Sequence, residues 1–552
     1  MTNKTCSFCG GEFASHDDLV AHTAIEHGTQ FVPRLVSVQE EGEGESRKVI
    51  ETPSITTAEL IAEEVWDGKG PPLYAIRRFN SGEVTLNGTL DLGEVDSKGH
   101  DVIYAPVDNG HLRKGMVLVP REPVQSTFDE AYRDACDLAF EIYDCEESKR
   151  SEFRLLVAIS IGSWFLDRFD PVGLSVAGMG RFAPIVAIRG RSGSGKNRAL
   201  NALRLVSYRP FFDLATVRVP SLYRPLDLLK GTLCLDECDV GGDERSDFTH
   251  FINSRCYGTP ISRQNPESPK VSDVFASFGL SIITQRRAWG DDATENRTLP
   301  YYAEKSAKSL PTSELDEWVE RGLELQNKLL WLRLCHWQDV HINKAARMKG
   351  VQDHRLTASI LPVLALQSLA PRMVENLTEI LLELERKRKQ VRAASTDGVV
   401  VNALWDSLSD GLQGRYNGMY YVGRERSVEK VDGEAISVTV PLQTRDLAER
   451  LNWASASALR RVIHGLQISN GVAPERVRIG RRLYRPIWFD HVKLEQLLCD
   501  FVVDYTPGEL AGGVPNVPIV PKESGLGESN TDTHGKLGTD GTQGTLARGD
   551  PV

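Results

Sequence analysis

Pro184-Ile-Val-Ala-Ile-Arg189 passes without interruption into Gly190-Arg-Ser-Gly-Ser-Gly195-Lys196-Asn197, and a helical pattern follows to about Ser207. The first six residues predict a short apolar strand. The next eight are too rich in glycine to continue it. Strand, glycine loop and helix in this order form a cradle for phosphate. Glycines let backbone N–H groups curl around anionic oxygens, and the helix N-terminus adds a favourable dipole. Gly190, Ser192, Gly193, Ser194, Gly195, Lys196 and Asn197 are the expected cofactor-binding set, with Lys196 reaching the β- and γ-phosphates of ATP. The residue after the lysine is usually Ser or Thr, whose hydroxyl ligates Mg2+. Here it is Asn197, whose amide oxygen could coordinate the ion or hold a metal-bound water.

Forty residues on, Thr232-Leu-Cys-Leu235-Asp236-Glu237 predicts a buried strand ending in two carboxylates. Asp236 is expected to hold Mg2+ through its hydration shell, and Glu237 to orient and polarise the attacking water. A further apolar run, Phe278-Gly-Leu-Ser-Ile-Ile283, ends at Thr284-Gln285-Arg286-Arg287, where Thr284 would sense the γ-phosphate. Arg297 is placed like an arginine finger directed at a neighbouring subunit; a surface ion pair is the plainer alternative. Residues 180–300 as a whole alternate strands and helices, the pattern of a parallel α/β sheet.

These motifs resemble those of the AAA+ and superfamily-three ATPases, especially those encoded with replication functions of mobile elements. The likeness covers about residues 126–370. It includes the helical lead-in Trp164-Phe-Leu-Asp167, the segment Asn253-Ser-Arg-Cys-Tyr-Gly258 and Asp353-His-Arg355-Leu in a helical lid. It implies a ring-shaped homo-oligomer with ATP at subunit interfaces, and offers Arg355 a lid role on the nucleotide, with a structural helix arginine as the equal alternative.

At the N-terminus, Cys6-x2-Cys9-x12-His22-x4-His27 has the spacing of tetrahedral zinc ligation, two thiolates from a hairpin and two imidazoles from a helix. Phe13 and Leu19 stand where the two-cysteine, two-histidine finger family keeps its minimal core. A unit this small leans on its metal for stability. In DNA-reading fingers three helix positions touch bases, and the resemblance transfers them to Ser15, Asp18 and Ala21. Within residues 1–30 only Lys4 opposes Glu12, Asp17, Asp18 and Glu26, so docking a protein partner is favoured over DNA.

Between Thr444 and Asp490 the sign of the charge reverses. Nine arginines face four carboxylates, a net +5 inside a chain of −11. Two short helices joined at Asn452-Trp453, then a basic hairpin, resemble a winged helix-turn-helix. Arg460, Arg461, His464, Arg478, Arg481 and Arg482 are the candidate DNA contacts. A protein-binding winged helix or basic cap is the alternative.

The expected fold is therefore a multidomain α/β chain. It comprises a ββα zinc finger (1–30), an acidic linker (31–55), a small β-rich domain (56–125), a P-loop ATPase core with helical lead-in (126–305), a helical lid (306–395), a winged-helix-like domain (396–503) and a disordered tail (504–552). Ser126-Thr-Phe-Asp129 is expected to cap the lead-in helix, and residues 312–395 to be helical throughout. No apolar run is long enough to cross a bilayer: the longest, Leu155–Leu166, suits a buried helix. With nine cysteines and no secretory features, a cytoplasmic protein with no membrane partner is expected. ATP, Mg2+ and Zn2+ are the expected ligands. A DNA-associated motor, helicase-like or initiator-like, is the leading expectation. A nucleotide-switched regulator and a P-loop nucleotide kinase are the alternatives.

Overall fold

The computed structural model describes residues 4–5, 12–13, 47–169, 180–213, 219–236, 238, 243–264, 272–289, 291–306, 310, 316–410, 412–416, 419–429, 435–468, 477–479 and 482–505. The expected zinc ligands Cys6, Cys9, His22 and His27, the carboxylate Glu237, Arg481 and residues 506–552 lie outside this set. The chain divides into two compact units, Met1–Lys387 and Arg388–Val552.

In the first unit, β1 (Lys4–Thr5) and β2 (Glu12–Phe13) pair antiparallel. The β-rich domain follows as two sheets. One is β4 (Ser54–Thr56), β5 (Leu60–Val65), β6 (Leu73–Arg78) and β7 (Val84–Asn87), antiparallel throughout. The other is β3 (Lys48–Glu51), β9 (Asp101–Ala105) and β8 (Leu90–Val95). The domain thus begins before residue 56. The stretch expected to be an acidic linker supplies β3, because its apolar Val49 and Ile50 pair with β9.

Strand β5 is buried along its whole length. Side chains alternate across a strand, so Leu60 and Ala62 enter the core of the two sheets, while Ile61 and Val65 join the core of the following helices and parallel sheet. Glu63 shares that second face. Its carboxylate accepts from Arg209 Nη2 (2.6 Å), Tyr208 Oη (2.8 Å) and Arg333 Nε (2.7 Å). Arg333 also grips Asp167 through both terminal nitrogens at 2.9 Å, and Trp337 Nε1 donates to Asp167 at 2.7 Å. One buried network so ties the β-rich domain to the helical lead-in, the parallel core and the lid.

The lead-in is α2 (Phe128–Ile142), preceded by the single turn α1 (Gly110–Arg113), then α3 (Glu147–Gly162) and a 3-10 segment Ser163–Phe169. The capping box lies one residue later than expected. Thr127 is the N-cap, and Glu130 receives the Thr127 N–H at 3.0 Å.

The core sheet is parallel, in the order β11 (Phe211–Asp213), β12 (Leu233–Leu235), β15 (Ser281–Gln285), β10 (Ile185–Arg189), β16 (Thr298–Tyr302). Strands β10, β12 and β15 are buried at every position, as a sheet covered on both faces requires. Helices α4 (Lys196–Val206), α5 (Val219–Leu229), α6 (Asp243–Tyr257) and the turn α7 (Asp292–Glu295) connect them. A hairpin of β13 (Ile261–Gln264) and β14 (Ser272–Phe275) is inserted before β15.

Strand β15 starts three residues later than its apolar run predicts. The preceding loop serves Arg255, which is fully buried and donates to the carbonyls of Ser277, Leu280 and Gly231. Gly279 gives it room, since a Cβ there would stand 2.7 Å from Arg255 Nη2. Burial without a carboxylate partner pushes the guanidinium down to about 9.

The lid comprises α8 (Asp316–His336), α9 (His354–Ser359), α10 (Leu361–Leu364) and α11 (Leu377–Ala393). Residues 337–353 contain no helix, against the expectation of continuous helices.

The second unit contains α12 (Thr396–Asp410), the sheet β17 (Leu412–Tyr416), β18 (Met419–Glu429) and β19 (Ala435–Pro441), and helices α13 (Thr444–Arg450), α14 (Ala456–Gly465) and α15 (His491–Phe501); the four helices and Val422 of β18 contribute to its core. The hairpin β20 (Val477–Ile479) and β21 (Arg482–Tyr484) precedes β22 (Trp488–Phe489), which pairs with β18. No helix among the described residues is long and apolar enough to cross a membrane.

Candidate nucleotide-binding site

Strand order brings the sequence motifs together. Strand β15 lies between β10 and β12, so the ends of all three strands adjoin: Arg189 pairs with Gln285, and Leu235 with Ile283. The glycine loop leaves β10 at Gly190, and α4 starts at Lys196. Gly195 is the N-cap in left-handed conformation (φ 88°) and offers no side-chain cap, which leaves the first-turn N–H groups to an anion. A Cβ on Gly195 would sit 3.2 Å from the Tyr143 ring. At Gly190 the crowding is greater: a Cβ would meet Ser194 Oγ and, at 2.8 Å, the Ala303 carbonyl.

Lys196 is 7% exposed and folds back on the loop, its Nζ donating to the carbonyls of Gly190 and Arg191, each at 3.0 Å. Ser194 Oγ is buried without a hydrogen-bond partner. A phosphate would offer acceptors to the ammonium and to this hydroxyl.

The acidic strand reaches the same place. Asp236 follows β12 directly and accepts from Asn197 Nδ2 (Oδ2, 2.5 Å) and from Thr284 Oγ1 (Oδ1, 2.6 Å). Phosphate-loop helix, acidic strand tip and intervening strand tip are thereby joined through one carboxylate. The Asp236 carboxylate and the Thr284 hydroxyl are oxygen donors of the kind a hard cation such as Mg2+ takes, and the Asn197 amide nitrogen faces the same carboxylate. Among the described residues no group of three or more His, Cys, Asp or Glu side chains is placed to hold a metal.

The structure puts Arg297 elsewhere. It precedes β16, whose Thr298 pairs with Ile185 at the start of β10, so it stands at the sheet edge opposite Gly190. There its Nε donates to Tyr257 Oη at 2.9 Å. Arg355 lies on α9, whose N-cap is Asp353, and it makes no hydrogen bond to the loop among the described residues.

Sequence reasoning missed Tyr143 beneath Gly195, and also the paired Arg189 and Glu295 at the loop's root (2.7 and 2.6 Å). The adjoining Arg189-Gly190 was legible as the strand end. Its carboxylate partner, 106 residues away, was not. A cavity of about 290 Å³ lined by Asp129, Arg154, Arg372 and Glu375 lies at the other end of α2 from Tyr143, apart from this chemistry.

In the second unit, α14 buries Leu459 and exposes Arg460, Arg461 and His464. Ser455 caps the helix by accepting the Ala458 N–H at 3.1 Å. Arg478 and Arg482 belong to the hairpin β20–β21, though their side chains lie outside the described set.

No family profile matches this sequence, and no curated protein matches it. Among solved structures, the chain is similar to one described as the SCCmec type IV Cch active helicase. The TM-score is 0.38 at 11% identity, over 82% of this chain and 80% of that one. It is also similar to an apo structure of the NrS-1 C-terminal region, with TM-score 0.33 at 11% identity, over 78% of this chain and 96% of that one.

Proposed function

We propose that this chain is a DNA-associated, ATP-hydrolysing motor or remodeller, of helicase or initiator type, that serves the replication of a mobile element. The supporting observation is the convergence of α4, Asp236 and Thr284 at adjoining strand ends, which is what a triphosphate gripped by a glycine loop needs. Gly190, Ser192, Gly193, Ser194, Gly195 and Asn197 line the phosphate cradle, and Lys196 would exchange two loop carbonyls for β- and γ-phosphate oxygens. Mg2+, held by Asp236 through its hydration shell, would supply charge neutralisation at the phosphates. Glu237, next in the chain, would polarise the attacking water, and Thr284 would report the γ-phosphate to β15. Arg297 could serve only a neighbouring copy's nucleotide, in a homo-oligomer such as a ring.

The exposed Arg460, Arg461 and His464, with the hairpin arginines Arg478, Arg481 and Arg482, would meet DNA as a helix-turn-helix and wing. Cys6, Cys9, His22 and His27 would hold Zn2+ in a finger that docks a protein partner.

The test is an ATPase assay with and without single-stranded DNA, on protein shown by metal analysis to carry one zinc per chain, comparing wild type with Glu237→Gln. Turnover stimulated by DNA, lost in the variant while ATP binding persists, is the expected result. Turnover unaffected by the substitution would reject the assignment. ATP-driven assembly with no turnover would favour a second reading, a nucleotide-switched DNA-binding regulator, to which the missing hydroxyl at Asn197 lends weight.

A further inference from the structure

Asn197 stands where a hydroxyl residue is usual, and the hydrogen bonds around it define what it does instead. Its Nδ2 donates to Asp236 Oδ2 at 2.5 Å, while Thr284 holds the other carboxylate oxygen at 2.6 Å. A carboxylate only accepts, so the amide must turn its nitrogen toward Asp236; the reverse orientation would oppose two acceptors. That commits the amide oxygen, on the other branch of the same planar carbon, to the side away from Asp236. Asn197 is exposed in the first turn of α4, and among the described residues its oxygen accepts no hydrogen bond.

A serine or threonine hydroxyl here would perform two tasks with one atom, donating its proton to the carboxylate and its lone pair to a cation. We propose that Asn197 divides these tasks between two atoms: Nδ2 positions Asp236, and Oδ1 is a ligand for the magnesium ion that accompanies the nucleotide. A neutral carbonyl-type oxygen is an acceptable ligand for this hard cation. The inference rests on the ATP-binding assignment and deepens it: the unusual residue preserves metal-coupled nucleotide binding rather than abolishing it.

The measurement is the affinity of the full-length chain for a fluorescent ATP analogue, once with Mg2+ and once with EDTA; the ratio of the two is the metal coupling. Asn197→Val removes both donor and oxygen, whereas Asn197→Thr has nearly the same shape as valine and restores a hydroxyl. The valine variant is expected to lose about 10- to 100-fold of the coupling, with an unchanged circular dichroism spectrum as the sign of an intact fold. The threonine variant is expected to stay within a few-fold of wild type. Equal coupling in wild type and Asn197→Val would overturn the proposal. So would stronger coupling in either variant, since Asn197 would then restrain Asp236 from the metal. If wild type bound the analogue in neither condition, the ATP assignment itself would fall, an outcome distinct from the others.

Discussion

Glu64 shows what a single side chain can impose. It neighbours Glu63 on β5 but points to the opposite face, into the core of the two small sheets, and neither of its carboxylate oxygens makes a well-formed hydrogen bond. Burial pushes its carboxyl up to about 8; the nearby Arg209 and the Val107 backbone oppose the shift, and Glu63 and Asp108 reinforce it. The folded protein therefore keeps a proton there that the unfolded chain releases near its ordinary value of 4.5. Between those values the folded state binds more protons, so stability falls as pH rises, by up to about 1.4 kcal/mol per pH unit. Glu64→Gln should flatten this dependence and raise the melting temperature at pH 8. A denaturation series from pH 5 to 8 checks it, and an unaltered slope would contradict the assignment. Nothing in the sequence separates Glu63 from Glu64. Only the strand's alternation decides which is paired and which is stranded.

Helix α14 and its neighbouring hairpin form the element on which the proposed DNA binding depends. Leu459 anchors the inner face, and Arg460, Arg461 and His464 stand in solvent on the other. Those identities were readable from helical spacing, as was the reversal of charge. The sheet β17–β19 was not, because β18 carries charge at Arg424, Glu425, Arg426 and Glu429 and presents no apolar alternation over that stretch. Replacing Arg478 and Arg482 together by Gln should weaken DNA binding irrespective of sequence. It should also reduce the slope of log affinity against log salt by roughly two, about 0.9 for each phosphate no longer neutralised. Binding titrations at several salt concentrations test this, and an unchanged slope would remove the hairpin from the interface.

Within the first unit, cohesion runs through the charged cluster of Glu63, Arg209, Arg333 and Asp167. The side chains of Glu63 and both arginines are at most 3% exposed, and Asp167 is the wetter end of the chain of bonds. Tyr208 stacks beneath the two guanidinium groups at 4.7 and 4.9 Å. Removing one member of such a set leaves the others charged in a low dielectric, a loss of about 3–5 kcal/mol. Glu63→Ala should therefore lower the denaturant midpoint of the first unit markedly. The exposed pair Arg121–Glu320, though bidentate at 2.7 and 2.8 Å, should matter little when broken. Chemical denaturation of Glu63→Ala beside Glu320→Ala discriminates the two, and equal midpoints would show the buried cluster to be incidental.

The sequence alone determined the parts whose physics is local: a strand turning into a glycine loop and helix, a carboxylate ending a second strand, a helix with an arginine face. In each, the residues that cooperate lie within a few positions of one another, so spacing is enough. Tertiary structure alone decided that β15 runs between β10 and β12, and hence that Thr284 and Asn197 meet on Asp236. It alone sent Arg297 to Tyr257 at the opposite sheet edge and gathered Glu63, Asp167, Arg209 and Arg333 from four separate segments. Those interactions join residues tens to hundreds of positions apart. They follow from strand order and buried charge pairing, which no local pattern of side chains encodes.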